Sequence, residues 1–245
     1  MIPEPSPLQR FRSAASRAFV FDFDGTLSEI VARPEMARAV SGAAGALSKL
    51  AEANPLVAVV SGRTAGQLRE LIGVPGVTLV GLYGLPDSGP EQSRLEAARK
   101  DIARAIELVP GSWLEDKGPT LAVHYRAARD PAEAERVLLT NLRTAATRRG
   151  LSLLAGKMVL ELAGGEVPGK GAVVRELVRS ARVSGCFYAG DDVADLEAFR
   201  ALDELDAVAA VRVAVRSEET PERLIAAADL VVDRPAGLVR LLSEL

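Results

Sequence analysis

The sequence predicts an α/β fold: a mostly parallel sheet covered by helices, interrupted by an α+β insert over residues 85–166. Three observations predict it. Short apolar runs that do not alternate with polar residues (18–23, 56–60, 77–80, 185–189, 207–215 and 230–232) are separated by amphipathic stretches. Strands buried on both faces of a parallel sheet read this way. Between two breaker-rich stretches, 84–90 (GLPDSGP) and 164–169 (GGEVPG), the pattern changes to helix, hairpin, helix, hairpin. Finally, acidic clusters follow directly on two of the apolar runs, where open α/β sheets carry their ligands.

Taken in order, the run 18–23 leads into a helical pattern over 35–52. The strand 56–60 (LVAVV), a helix over 65–72 and a strand 77–80 follow. In the insert, 91–108 is helical, and 113–116 and 120–126 form a hairpin turning at Lys117-Gly118-Pro119. A second helix spans 131–149, with Asp130 as its cap and Pro131 at its first position. A second hairpin joins 151–154 to 158–162 through Ala155-Gly156-Lys157. Helices over 171–182, 196–201 and 222–228, and a last one from Pro235, alternate with the late strands. The domains are therefore a core of 1–84 and 167–245 around the insert, whose two ends are expected to lie together.

The 245 residues, 48% hydrophobic, suffice for one large domain or two modest ones. With a net charge of −3, and acidic and basic residues mixed throughout, no basic stripe invites nucleic acid. One cysteine, Cys186, allows no internal disulfide and fits a reducing cytoplasm. No apolar stretch near the N-terminus suits a secretion signal, and none reaches the ~18–20 residues of a membrane span. The expectation is a cytoplasmic monomer with neither nucleic-acid nor membrane partner.

The strongest chemical signal is Asp22-Phe23-Asp24-Gly25-Thr26-Leu27 at the end of the first strand. Two carboxylates this close at a strand end call for a cation, and Mg2+ accepts carboxylate and carbonyl oxygens together with substrate phosphate. One aspartate can then attack phosphorus while the other manages the leaving-group proton. Gly25 and Thr26 allow a turn whose N–H groups could meet phosphate oxygens. Ser61-Gly62-Arg63 ends the second strand. Ser61 can donate to a phosphate oxygen, or it and Thr64 can simply cap the next helix. Lys170, at the start of a helix, can either stabilise a transferring phosphoryl group or stand solvated on the surface. Asp191, Asp192 and Asp195 form a second acidic cluster. A helix N-terminus accounts for Asp192 and Asp195 but not for Asp191, which follows the strand directly.

The order Asp-x-Asp-Gly-Thr, Ser, Lys, Gly-Asp-Asp-x-x-Asp resembles the haloacid dehalogenase superfamily, and the match covers the whole parallel domain. The resemblance implies a Rossmann-like core with an inserted cap. It makes Asp22 the nucleophile, Asp24 the general acid/base, and Ser61 and Lys170 the phosphate holders. Magnesium is then bound by the Asp22 carboxylate, the Asp24 carbonyl and Asp191, with Asp192 or Asp195 supporting the metal or orienting Lys170.

The insert, expected as the roof of the pocket, should choose the substrate. It carries Glu115-Asp116-Lys117-Gly118-Pro119, then Val123-His124-Tyr125-Arg126, then Gly156-Lys157-Met158-Val159-Leu160-Glu161. Charged residues at hairpin ends either contact a hydroxyl-rich ligand or stand solvated at a sheet edge. His124, the single histidine, reads as a packed or surface residue rather than an acid or base. Together with Ser61-Gly62-Arg63 these strings resemble the trehalose-6-phosphate phosphatase family from about Phe19 to Phe199. The resemblance implies a sugar-phosphate substrate, first trehalose 6-phosphate, held by Arg63, Glu115, Lys117, His124, Arg126, Lys157 and Glu161. Three departures stand out. Tyr83-Gly84-Leu85-Pro86 replaces His-Gly-x-Glu, Ala194-Asp195-Leu196 replaces Thr-Asp-Glu, and Ala163-Gly164 stands where the family commonly has proline. The alternatives are a capped phosphatase for sucrose phosphate or a glycosyl phosphoglycerate, and an inactive sugar-phosphate sensor.

Overall fold

The computed structural model describes residues 4–86 and 92–245. Most of the first breaker stretch, and residue 91 at the start of the insert's first helix, lie outside the described residues. The strands are β1 (Arg17–Phe21), β2 (Leu56–Val60), β3 (Thr78–Val80), β4 (Trp113–Asp116), β5 (Thr120–His124), β6 (Ser152–Gly156), β7 (Val159–Ala163), β8 (Gly185–Gly190), β9 (Ala209–Arg216) and β10 (Leu230–Asp233). The helices are α1 (Pro7–Arg12), α2 (Ala43–Ala53), α3 (Ala65–Ile72), α4 (Gln92–Glu107), α5 (Pro131–Arg149), α6 (Gly169–Ala181), α7 (Asp195–Asp203), α8 (Glu222–Ala227) and α9 (Arg234–Leu242). Two compact units result: Pro168–Leu245 together with the chain up to Gly84, and Leu85–Val167.

The first unit holds a parallel six-stranded sheet in the order β10-β9-β8-β1-β2-β3. Successive residues of β1 serve opposite faces. Phe19 and Phe21 join one apolar core with Phe187, whereas Ala18 and Val20 join another with Cys186 and Tyr188. This two-sided burial is why the run does not alternate. The chain builds β2 and β3 on one side of β1 and β8 to β10 on the other, so the switch point lies between β1 and β8, where ligands bind such sheets.

The first unit departs from the sequence reading in two places. Helix α1 was not anticipated. Ser6 and Gln9 form a reciprocal capping box around Pro7, and Phe11, fully buried, meets Phe19 edge-on at 5.3 Å between centroids. The expected helix over 35–52 begins only at Ala43. Residues Pro34–Met36 make one 3₁₀ turn, Ala39 bridges Ser28, and the Val40 N–H donates to Leu27. These residues brace the loop after β1 instead of turning helically. Gly84, at φ +86°, marks the end of this part of the unit. A Cβ there would come within 2.6 Å of Val173 and 3.7 Å of Pro168, so the two boundaries of the insert lie side by side.

The second unit is an antiparallel sheet, β4-β5-β7-β6, with α4 and α5 sharing a core with one of its faces. Leu114, Leu121, Val123, Leu153, Leu160 and Leu162 belong to that core. Period-two alternation therefore places Trp113, Glu115, His124, Thr120 and Glu161 on the other face. The second hairpin corrects the sequence reading. Gly156 pairs with Val159, so the turn is Lys157-Met158, with Met158 at φ +58°. Among the described residues, no helix is long and apolar enough to cross a membrane.

Candidate active site

Because Phe21 is in register with Ala189, the residues leaving β1 and β8 emerge together. The Asp22 N–H donates to Ala189 across this junction at 2.9 Å. Lys170, on the first turn of α6, reaches the same place. Its ammonium lies 2.8 Å from Asp22 Oδ1 and 2.6 Å from Asp195 Oδ1. Far from a solvated surface lysine, it is 3% exposed, and Asp22, Asp191 and Asp195 are 5%, 1% and 0% exposed. Asp195 is fully engaged. Its Oδ1 also accepts from the Tyr188 hydroxyl at 2.7 Å, and its Oδ2 accepts from the N–H groups of Asp191 and Asp192. It therefore orients Lys170 and shapes the β8 loop. Tyr188, buried in β8, was not singled out from the sequence, since its apolar neighbours make it read as strand core. Asp192 bonds the next backbone N–H, Val193.

Burial raises the Asp22 pKa well above the usual carboxylate value; Lys170 opposes the rise while Asp195 and Asp191 add to it. Burial alone would lower the Lys170 pKa, but Asp195 and Asp22 outweigh it and hold the ammonium charged. The Cys186 thiol is pushed up to about 12 by burial, so it is no nucleophile.

Candidate ligand oxygens of Asp22, Asp191 and Asp195 lie within 4.8 Å of one another. Asp22 and Asp195 share the one lysine and Asp191 stands beside them, so the buried carboxylates outnumber the ammonium. A hard divalent cation fits this donor set. Asp195 has both oxygens occupied, so Asp22 and Asp191 are the carboxylates suited to hold the ion. Gly25 makes room for Asp191: at φ +82°, a Cβ there would meet the Asp191 carboxylate at 2.1 Å.

The loop after β1 corrects one expectation. The N–H groups of Gly25 and Thr26 bond Ser28 and Phe23 carbonyls, so they close the turn rather than point to phosphate. The Thr26 hydroxyl, by contrast, is buried and has no partner among the described residues. Thr64 caps α3 in a capping box with Gln67, which leaves Ser61 unneeded as a helix cap. Ser61 Oγ accepts from the Arg63 N–H at 3.3 Å. Arg63, anticipated on substrate, grips Asp24 with two parallel bonds of 2.8 and 2.7 Å and donates to the Pro34 carbonyl. Tyr83, in one of the departures from the family pattern, has a left-handed backbone, and a Cβ on Gly62 would fall 2.5 Å from its hydroxyl.

In the second unit, Lys117 and Glu161 pair at 3.2 Å, with the Thr120 hydroxyl also on Glu161. Trp113 stacks on His124 at 4.2 Å, and His124 Nε2 meets Glu115 at 2.8 Å. Thus His124 is packed, as the sequence suggests. Arg126 follows β5, and Lys157 sits in the second turn at the same end of the sheet, where Tyr125 bonds Met158.

Residues 20–229 match the family model described as trehalose-phosphatase. A trehalose-phosphate phosphatase of Mycobacterium avium is 34% identical over 89% of this chain and 59% of its own length. The chain thus spans less than two thirds of that curated relative. The C-terminal domain of the C. albicans trehalose-6-phosphate phosphatase has the same fold, with a TM-score of 0.80 at 22% identity over 97% of this chain and 94% of that one. A phosphatase of the haloalkanoate superfamily from Bacteroides thetaiotaomicron shares it at a TM-score of 0.59 and 18% identity, covering all of this chain and 97% of the other. With a family match over most of its length and a core whose carboxylates meet at the β1/β8 switch point, the chain belongs to the trehalose-phosphatase family.

Proposed function

We propose that the chain is a magnesium-dependent phosphatase that converts trehalose 6-phosphate to trehalose and phosphate through an aspartyl-phosphate on Asp22. The observation that carries this reading is the buried Asp22–Lys170–Asp195 cluster with Asp191 beside it. A basic lysine held against the attacking carboxylate is suited to the negative charge of a transferring phosphoryl group. A bound Mg2+, held by Asp22, Asp191 and the Asp24 carbonyl, supplies Lewis-acid neutralisation of phosphate charge. An Asp22 oxygen bonds to phosphorus as the ester bond to the sugar oxygen breaks, and Asp24 gives that oxygen its proton. Asp24 then takes a proton from the water that hydrolyses the aspartyl-phosphate. Ser61 and the Thr26 hydroxyl are assigned to phosphate oxygens. Glu115, His124 and Glu161 on the polar face of the antiparallel sheet, with Lys117, Arg126 and Lys157 in the segments that follow its strands, are assigned to the sugar.

Phosphate release across a panel of sugar phosphates, with and without magnesium, tests the reading. Exhaustive chelation is expected to abolish activity and magnesium to restore it, whereas calcium, with longer bonds and more ligands, should not. Magnesium should also raise the melting temperature of the metal-free protein, because a ligand of the native state alone stabilises it. Full activity and an unchanged melting temperature after chelation would contradict the metal assignment.

The Lys117–Glu161 pair allows a sharper test of substrate. Lys117→Ala or Glu161→Ala should lower kcat/KM for trehalose 6-phosphate by roughly ten- to hundredfold, as for a lost charge-assisted contact, with little change for p-nitrophenyl phosphate. Each single change also removes one side of a buried ion pair. The two together should therefore destabilise the protein by less than the sum of the singles. Equal kinetic losses on both substrates would remove these residues from the sugar site.

A further inference from the structure

The Arg63–Asp24 contact is built unlike an ordinary surface ion pair. Its arginine side chain is 9% exposed and its aspartate 41%. Three contacts fix the guanidinium: Nη1 donates to the Pro34 carbonyl at 3.0 Å, the Phe23 ring lies 5.4 Å below it, and Nε and Nη2 fork onto Asp24. Its backbone is tied as well, through the Ser61 hydroxyl and the Leu82 N–H. The rigid partner is therefore Arg63, and the movable one is Asp24. Resting on the function proposed above, we infer that Arg63 is a positioning residue for the leaving-group proton: its fork sets how Asp24 presents an oxygen to the departing alcohol.

The geometry suits both halves of that duty. As a carboxylate, Asp24 uses both oxygens on the fork. When protonated, it can keep one oxygen there and turn the other, with its proton, to the ester oxygen. As the Asp22–phosphorus bond forms and the phosphorus–ester bond breaks, the alkoxide takes that proton, and Asp24 returns to the bidentate grip as a carboxylate. A planar two-donor fork can direct a carboxylate in this way, whereas a lysine ammonium holds it by charge without fixing its plane.

The test exploits the leaving group, since p-nitrophenolate departs at neutral pH without a proton and a sugar alkoxide does not. The ratio kcat/KM reports only the steps through release of the first leaving group. Arg63→Gln is expected to lower it about ten- to hundredfold for the sugar phosphate and no more than about threefold for p-nitrophenyl phosphate. Arg63→Lys should retain most of the sugar-phosphate loss, because orientation rather than charge is at stake, and it serves as the folded variant if Arg63→Gln fails to fold. In an Asp24→Asn background, Arg63→Gln should cost nothing more on the sugar phosphate. Equal losses on both substrates, an unchanged or faster sugar-phosphate reaction, a fully active Arg63→Lys, or additive losses with Asp24→Asn would each overturn the inference. Should the wild type reject trehalose 6-phosphate, the substrate reading fails on its own, and the same comparison runs on any alkyl phosphate it accepts.

Discussion

An Asp22→Asn variant should fold and hydrolyse neither sugar phosphates nor p-nitrophenyl phosphate, with turnover reduced by about 10⁴-fold or more. The amide keeps the size and the Lys170-facing oxygen of the carboxylate but lacks its nucleophilicity. Stability should survive, because Asp22 is a carboxylate that burial already penalises and that two other aspartates repel. Removing one negative charge from a cluster of three leaves Lys170 paired with Asp195 at 2.6 Å. Two measurements decide the matter. The first is phosphate release from both substrate types. The second is acid quenching of the working enzyme, followed by mass spectrometry for a phosphoryl group on Asp22, present in the wild type and absent in the variant. Turnover within tenfold of wild type would exclude Asp22 as nucleophile.

Much of the site was legible because it lies where the fold forces it to lie. Once 18–23 and 185–189 are read as neighbouring parallel strands, Asp22 and Asp191 must emerge together at their carboxyl ends. Lys170 was legible from its place at a helix start, though its burial was not. What the sequence concealed depends on contacts between distant segments. Arg63 meets Asp24 and Pro34 across the loop after β1, and no spacing rule connects those positions. Tyr188 looks like any aromatic core residue of a buried strand, and its hydroxyl matters only because Asp195 lies against it. The stretch 35–42 carries helix-forming residues, yet the Ser28–Ala39 bridge takes its backbone, so tertiary context overrides local propensity. The overlooked α1 did have a local sign: Ser6-Pro7-Leu8-Gln9 is a capping-box string with proline at the first helical position.

Lys170→Met should be the most damaging single change after loss of the nucleophile. The methionine fills the volume but leaves Asp22 and Asp195 buried without the ammonium that lies within 2.8 Å of both. Stranding buried charges in this way costs about 3–5 kcal/mol, and loss of the charge facing the phosphoryl group should reduce turnover by about 10²–10³-fold. The stability loss carries a signature in pH. Burial raises the Asp22 pKa and Lys170 opposes that rise, so the variant's carboxyl should titrate higher still. An unfolded aspartate titrates near pH ~4. Between that value and the raised native one, the folded variant binds more protons than the unfolded chain, and its stability falls as pH increases. Wild-type Asp22 is raised as well, so the deficit should grow with pH only between its raised value and the variant's higher one, and should shrink as the pH falls across that interval. In the wild type, Lys170 stays charged throughout this window, because the two aspartates raise its pKa. Denaturant unfolding of both proteins at about pH 5 and pH 7.5, without divalent metal, reads the difference directly. A deficit that is constant with pH, or that grows on acidification, would show that Lys170 stabilises the fold by packing and not by neutralising the aspartates.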